Sequence, residues 1–551
     1  MIDRDIHLSR ALLVEANAMM RSVAAEQLRS AGVGHIAQAS RVKEARLLIE
    51  REPFDIIICN REFEGSDDSG QDLLDELRRE NQLPHSTVFL MVTAQASFHQ
   101  VVEAAEAALD GILVRPYTAA LLAQRLAEAR HRKRELAAIL KALDRGETEV
   151  ALARALKRYQ EKLPFATYCG RLVAELFLRL DRPKDARLIF EKLAQPSNAI
   201  WARLGQARAC AGMGDAATAR QLIQSVLAEE PDAADAHDLM GRILVEQCDF
   251  DGALQSYRQA AAITPGCLLR NQHAGALAFY QGQSAEALKL LERSLGLGVQ
   301  SKLFDALTLL LIAVLRHDAG DRAGVGSMRE QLVRYRERFP QSRRLARFVQ
   351  AADVLVLAVN GQEDRSLESL RALSRQAGDD DFDLEAANTI LLLWARQAKD
   401  PSRQAAHAEV IEQLSMRFCT SKAITEVLLA SARREEPATT LIKRCQAQVA
   451  ALSERAMDLS LQGEFAQAVE LLLEHGQRSL NAKWLEVAGL IARRNRDRWP
   501  EADTYAQRAA QLLTRSCATV NHIAGIQRSG RSPGGLQLRG KDTGPAGVEA
   551  A

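Results

Sequence analysis

Phe54-Asp55-Ile56-Ile57-Ile58-Cys59-Asn60-Arg61-Glu62 is the stretch whose reading decides the fold of the first domain. Three consecutive β-branched residues entered from Pro53 predict a short strand buried on both faces, the habit of a parallel sheet. In open α/β sheets the reacting groups sit just beyond the carboxyl ends of the strands. Asn60 holds that place here. An aspartate would be a nucleophile, whereas asparagine keeps nearly the same shape and offers no carboxylate.

Outward from this strand, Ala11-Leu12-Leu13-Val14 predicts another ending at Glu15. Asn17 is placed to cap a helix through Leu28 whose apolar face is expected to include Met20, Val23, Ala24 and Leu28. Gly32 and Gly34 end that helix, and His35-Ile36-Ala37-Gln38-Ala39 is a second strand. A helix over 42–51 turns Val42, Ala45, Leu48 and Ile49 inward. An acidic loop over 62–68, a helix over 71–80, a strand over 87–93 and a helix over 99–108 follow. A fifth strand over 111–114 leads to a last helix capped by Thr118. Five strands alternating with five helices predict a doubly wound α/β domain with a five-stranded parallel sheet over residues 8–130.

In their order, these landmarks resemble a response-regulator receiver, the CheY-like, flavodoxin-like switch of two-component phosphorelay signalling. The residues that carry the resemblance are the strand before Glu15, Arg21, the strand before Asn60, Thr93-Ala94 and Arg115-Pro116-Tyr117. Glu64-Gly65-Ser66-Asp67-Asp68-Ser69-Gly70 looks like the acidic insertion of receivers that lead into helical repeats. The resemblance implies a phosphoacceptor at Asn60, an acidic pair at Glu15 and Ala16, and a phosphate-pairing lysine at Arg115. It also implies a hydroxyl switch at Thr93 with an aromatic partner at Tyr117, and a cis Arg115–Pro116 bond. Three of the four chemical positions depart from the family pattern. No cofactor is expected, and Mg²⁺ only if the site works, because that ion wants several hard oxygen ligands and Glu15 alone is a weak one. Bland readings stand beside these: Asn60 as a turn cap, Glu15 as a solvated acid, Asp67 and Asp68 as a solvated loop, Cys59 as a buried thiol. Arg115 paired with Glu15, in place of a metal, is a further reading.

The chain has 551 residues, 72 basic and 71 acidic side chains, and 47% apolar residues. Several cores are therefore expected, with no global charge to draw the protein to nucleic acid or an anionic membrane. The eight cysteines form no CxxC pair, which argues against zinc or a disulfide framework and for free thiols in a reducing compartment. No apolar signal core follows the amino terminus and no apolar run spans a bilayer, so a cytoplasmic protein is expected. His131-Arg132-Lys133-Arg134 is a basic cluster in a helical connector over 131–165, read as a charged face where two domains meet.

Beyond it a second pattern takes over. Ala219, Ala253 and Ala287 recur every 34 residues, as do Pro231 and Pro265, and Gly241 and Gly275. Gly214-Asp215, Cys248-Asp249 and Gly282-Gln283 fall at one phase of the same period. This is the tetratricopeptide (TPR) spacing of antiparallel helix pairs with small residues at their crossing, and Tyr257 belongs to its signature. Repeats are expected over 166–300, degenerate ones over 301–515 and a disordered tail over 516–551. An all-α superhelix with a concave groove for peptides follows, and no constellation suggests an enzyme. His237, His273 and His317 read as surface or packing residues.

The expected function is a response-regulator-type protein: a pseudo-receiver that is not phosphorylated, joined to a TPR scaffold. Its partners would be proteins in the groove or on the receiver face, a histidine kinase or other pathway proteins among them. The alternative is a working receiver that uses Glu62, Asp67 or Asp68 as acceptor. A remoter one is a DNA-binding regulator acting through the basic connector.

Overall fold

The computed structural model describes residues 5–63, 70, 73–74, 77, 83–94, 110–195, 200–265, 267–299, 304–397, 401–433 and 435–516. Most of the acidic loop over 62–68, most of the helix expected over 71–80, the helix expected over 99–108 and the tail lie outside the described residues.

Five strands, β1 (Arg10–Val14), β2 (His35–Ala39), β3 (Ile56–Asn60), β4 (Val88–Thr93) and β5 (Gly111–Val114), form one sheet. Its order is β2-β1-β3-β4-β5, parallel throughout. The isoleucine run explains why β3 sits centrally. Ile57 and Cys59 join one core with Val42, Ala45, Leu73 and Leu77, while Ile56 and Ile58 join the other with Leu28, Leu122 and Leu126. Alternate residues thus serve opposite faces, as strand geometry demands.

The helix Ala18–Ser30 starts where Asn17 accepts from the backbone N–H groups of Met19 and Met20 at 3.0 and 3.1 Å. Its expected apolar face needs correction: Met20 is 44% and Val23 50% exposed. Ala24, Ala25 and Leu28 are the buried stripe, and the two alanines let this helix lie close to the sheet. On the same face the helix Ala119–Glu135 buries Leu122, Leu126 and Ala129, and Thr118 caps it through the Leu121 N–H.

That helix runs through buried Leu136 into the helix Ala137–Asp144. The basic cluster lies at this passage and bonds to the amino edge of the sheet. Asp110, just before β5, pairs with Arg132 at 2.8 Å and Lys133 at 3.1 Å. Lys133 also donates to the His85 carbonyl at 2.6 Å, the His85 ring meets Asp144 at 2.6 Å, and Arg130 donates to Ser9 at 2.6 Å. The sheet is thereby fastened to the first helix pair, which lies in the stretch expected as a connector.

One turn recurs through the remainder of the chain. Gly146, Asp181, Gly214, Cys248, Gly282, Gly320, Gly361 and Gly463 all have positive φ, between 55° and 89°. At each, the next backbone N–H reaches back to a carbonyl five residues earlier, as Asp215 does to Cys210 at 2.9 Å and Asp249 to Leu244 at 2.8 Å. This left-handed cap ends the first helix of a pair and reverses the chain. The pairs then close over small residues. A Cβ at Gly241 would fall 2.9 Å from the Tyr257 ring, and one at Gly275 would fall 2.8 Å from Leu291. Ala219, Ala253 and Ala287 are fully buried at these crossings, and Pro265 follows the helix Phe250–Ile263.

Leu268–Tyr280, Leu307–Asp318 and Leu384–Gln397 are buried along nearly their whole length. Arg433, 153 residues beyond Tyr280, donates to the Tyr280 carbonyl at 2.8 Å and caps that helix. Loop closure over such a separation leaves no local trace in the sequence. The acidic loop over 378–383 is also engaged, with Asp381 on Arg347 at 2.7 Å and Phe382 fully buried. Among the described residues no helix is long and apolar enough to cross a membrane.

Candidate functional site

The strand order reverses between β1 and β3, which places the carboxyl ends of those strands beside one another. Such a switch point opens a crevice. Val14 is in register with Cys59, so Glu15 and Asn60 emerge next to each other.

Glu15 is 3% exposed. One carboxylate oxygen accepts from the Asn17 N–H at 2.9 Å and the other is held by the Arg115 guanidinium. Arg115 stands just past β5, three strands from β1, so its side chain returns across the carboxyl ends of β4 and β3. Arg21 braces the same turn by donating to the Glu15 carbonyl at 2.7 Å and that of Ala16 at 3.2 Å. Ala16 supplies no oxygen beyond its backbone.

Asn60 directs its side-chain amide away from a reacting role: its Nδ2 donates to the Glu62 carbonyl at 2.8 Å. Gly70 packs over it, and a Cβ there would fall 2.2 Å from the Asn60 carbonyl oxygen. Sequence reasoning assigned Gly70 only to a loop. Its signal was a glycine ten residues after the strand end, where backbone approaches backbone. Cys59 is fully buried, and burial followed by the Glu15 charge pushes its thiol far up, which leaves it protonated and unreactive.

Thr93 ends β4, 3% exposed. Tyr117 follows the cis Arg115–Pro116 bond and packs half-buried against the core cluster of Leu113 and Leu122. Burial raises its phenol above the usual value; Arg115 pulls it down and Glu15 pushes it up, so all three belong to one electrostatic neighbourhood. The structure brings Glu15, Arg115 and Tyr117 together there, with Asn60 and Thr93 on the neighbouring strand ends. The loop acids Asp67 and Asp68 lie outside the described residues, and Glu62 is exposed.

As a metal pocket the described donor set does not fit Mg²⁺. It offers one side-chain carboxylate, already bonded by a guanidinium, where octahedral coordination wants several free hard oxygens. Elsewhere, no group of three or more His, Cys, Asp or Glu among the described residues is arranged to hold a metal.

Residues 11–127 match the response regulator receiver domain. Over 117 residues the chain is 32% identical to chemotaxis protein CheY-3 of Vibrio cholerae, covering 21% of this chain and 88% of that one. It is also 32% identical to chemotaxis protein CheY of Pseudomonas aeruginosa, covering 92% of it. Through this domain the chain belongs to the response-regulator receiver family. Among solved structures, a tetratricopeptide repeat protein from Parabacteroides merdae matches half of this chain at 12% identity and a TM-score of 0.35. MamA protein matches 30% of this chain at 19% identity and a TM-score of 0.25. The molecule is a receiver domain of two-component signalling followed by a stack of tetratricopeptide-like helix pairs.

Proposed function

We propose that this receiver no longer accepts a phosphoryl group and that the chain works as a non-catalytic scaffold in phosphorelay signalling, recruiting pathway proteins through its repeats. The observation that carries the reading is the Arg115–Glu15 ion pair over a strand end that bears Asn60. Phosphoryl transfer depends almost wholly on positioning and charge stabilisation around an attacking oxygen. An amide whose nitrogen is committed to the Glu62 carbonyl is no such nucleophile. The acid that would help hold a divalent ion is neutralised by an internal cation, so no metal-dependent step is assigned to the pocket. Thr93 and Tyr117 are left as switch positions moved by protein binding, with a histidine kinase or a downstream pathway protein as the partner class, in the cytoplasm.

Purified protein incubated with acetyl phosphate and Mg²⁺ tests this by intact mass. No phosphoryl adduct is expected, and none from Asn60→Asp alone, because Ala16 and Arg115 still deny the metal and the lysine. The triple variant Ala16→Asp, Asn60→Asp, Arg115→Lys is expected to gain the adduct. A stable adduct on the natural chain, mapped to Glu62, Asp67 or Asp68, sinks the silent-site reading.

A further inference from the structure

The helix Ala166–Arg179 and the helix Ile200–Gly212 are the first helices of consecutive pairs, and their facing side chains do not balance in charge. Glu175 is 4% exposed and the two guanidiniums near it are Arg171 and Arg208. Arg208 takes both Glu175 oxygens, at 2.9 and 3.1 Å, in the fork geometry that suits a carboxylate. Arg171 is left over. Its guanidinium carbon lies 4.6 Å above the Trp201 ring, a stacked contact that holds it without neutralising it.

Arg171 makes no hydrogen bond or ion pair among the described residues, and its Nη2 is shut off from solvent with nothing to donate to. The other two guanidinium nitrogens are not sealed in the same way, and the residue as a whole is half-buried. Burial lowers its pKa to about 10, with Glu175 and then Tyr168 pulling it up and Arg208 pushing it down. A partly buried cation that must share its one acid with a second arginine is costly, and cores rarely keep one without use. The neighbourhood is formed by two parts of the molecule: Arg132, from the helix that leaves the sheet, stacks over Tyr168 at 5.2 Å.

We propose that Arg171, stacked on Trp201 beside the Glu175–Arg208 pair, is an anchor for an acidic side chain of a partner peptide, bound where the repeats meet the receiver. One surplus guanidinium matches one carboxylate, which reaches the unsealed Nε or Nη1 through a single oxygen. Trp201 supplies the apolar wall that excludes water from one side of the contact. A doubly charged phosphate would leave a negative charge unmatched, since Arg208 is already engaged. This proposal rests on the scaffold half of the reading above and is independent of whether the receiver site is silent.

The probe is a fluorescein-labelled octaglutamate peptide, with octalysine as the charge control, titrated against the full chain by anisotropy at low salt. Octaglutamate is expected to bind, and Arg171→Met to weaken it at least about tenfold, a step of 1.4 kcal/mol. Arg334→Met, which removes an exposed arginine paired with Glu330, is expected to leave binding unchanged. Thermal unfolding supplies the second readout. Because Arg171 makes no hydrogen bond or ion pair among the described residues and methionine can keep the contact with Trp201, Arg171→Met is expected to melt no lower than the natural chain. Equal loss from Arg334→Met reduces the effect to general charge and overturns the site. So do unchanged binding by Arg171→Met, a variant that melts well below the natural chain, or no binding of octaglutamate at all. Displacement by inorganic phosphate at matched ionic strength, with no displacement by glutamate, overturns the choice of a carboxylate.

Discussion

The carboxyl edge of the sheet and the turns of the repeat stack both carry residues other than those their family patterns imply, and the two places ask different things of a residue. At the sheet edge, Asn60, Ala16 and Arg115 stand where two acids and a lysine are implied, and the strands beneath are intact. In the stack, Asp181 and Cys248 stand where six other turns have glycine, and both turns keep the left-handed conformation. A turn asks only for a backbone shape, which a non-glycine residue can adopt at a cost of about 1–2 kcal/mol. Phosphoryl chemistry asks for particular atoms, and no local adjustment supplies a missing carboxylate. Shape tolerates substitution by degrees, while this kind of reactivity does not.

The comparison sharpens if the two regions are perturbed in turn, and the sheet edge is expected to respond most. Arg115→Ala leaves Glu15 buried without its cation, and removal of one partner of such a pair destabilises by about 3 kcal/mol. Hydrogen exchange read on peptides of β1 and β5 is expected to speed up in that variant. Glu15→Leu with Arg115→Met is expected to recover most of the protection, because an apolar pair needs no counter-charge. All four tryptophans lie in the repeats, so their fluorescence reports the other region separately.

A smaller effect is expected at the closure of the stack. Arg433→Ala removes a charged donor from the carbonyl end of Leu268–Tyr280, worth about 2 kcal/mol. A fall in the denaturant midpoint by tryptophan fluorescence, with β1 exchange unchanged, is the expected pattern. Unchanged unfolding would show that the contact contributes nothing to closure. The smallest effect is a gain: Cys248→Gly relieves a positive φ at a non-glycine residue and is expected to stabilise by roughly 0.5–1 kcal/mol. If it destabilises instead, the tolerance ascribed to the turns is wrong at that position.

Local signals made much of this legible in advance. The isoleucine run of β3, the caps at Asn17 and Thr118, and the 34-residue recurrence of alanine and glycine are short-range patterns with direct structural meanings. Glu15 and Ala16 just past β1, Asn60 at the end of β3 and Arg115 just past β5 all lie at carboxyl strand ends, which their order along the chain implies. The failures are equally specific. Met20 and Val23 match a helical stripe as well as Ala24 and Ala25 do, and only the closeness of helix to sheet selects the small pair. The 34-residue period describes neighbouring pairs only, whereas the reach of Arg433 to the Tyr280 carbonyl joins helices 153 residues apart in the chain.

The sequence by itself determined the parallel sheet, the asparagine at the carboxyl end of β3 and the period of the repeats, because each rests on residue identity at short range. Only the tertiary structure decided that Glu15 has an internal cation, since Arg115 lies 100 residues away and reaches it across the strand ends. The same holds for the fastening of the basic cluster to the amino edge of the sheet, and for the Arg171 guanidinium, which stacks on Trp201 and makes no ion pair among the described residues. Charge balance is a property of what lies within a few ångströms, and chain order does not record that distance.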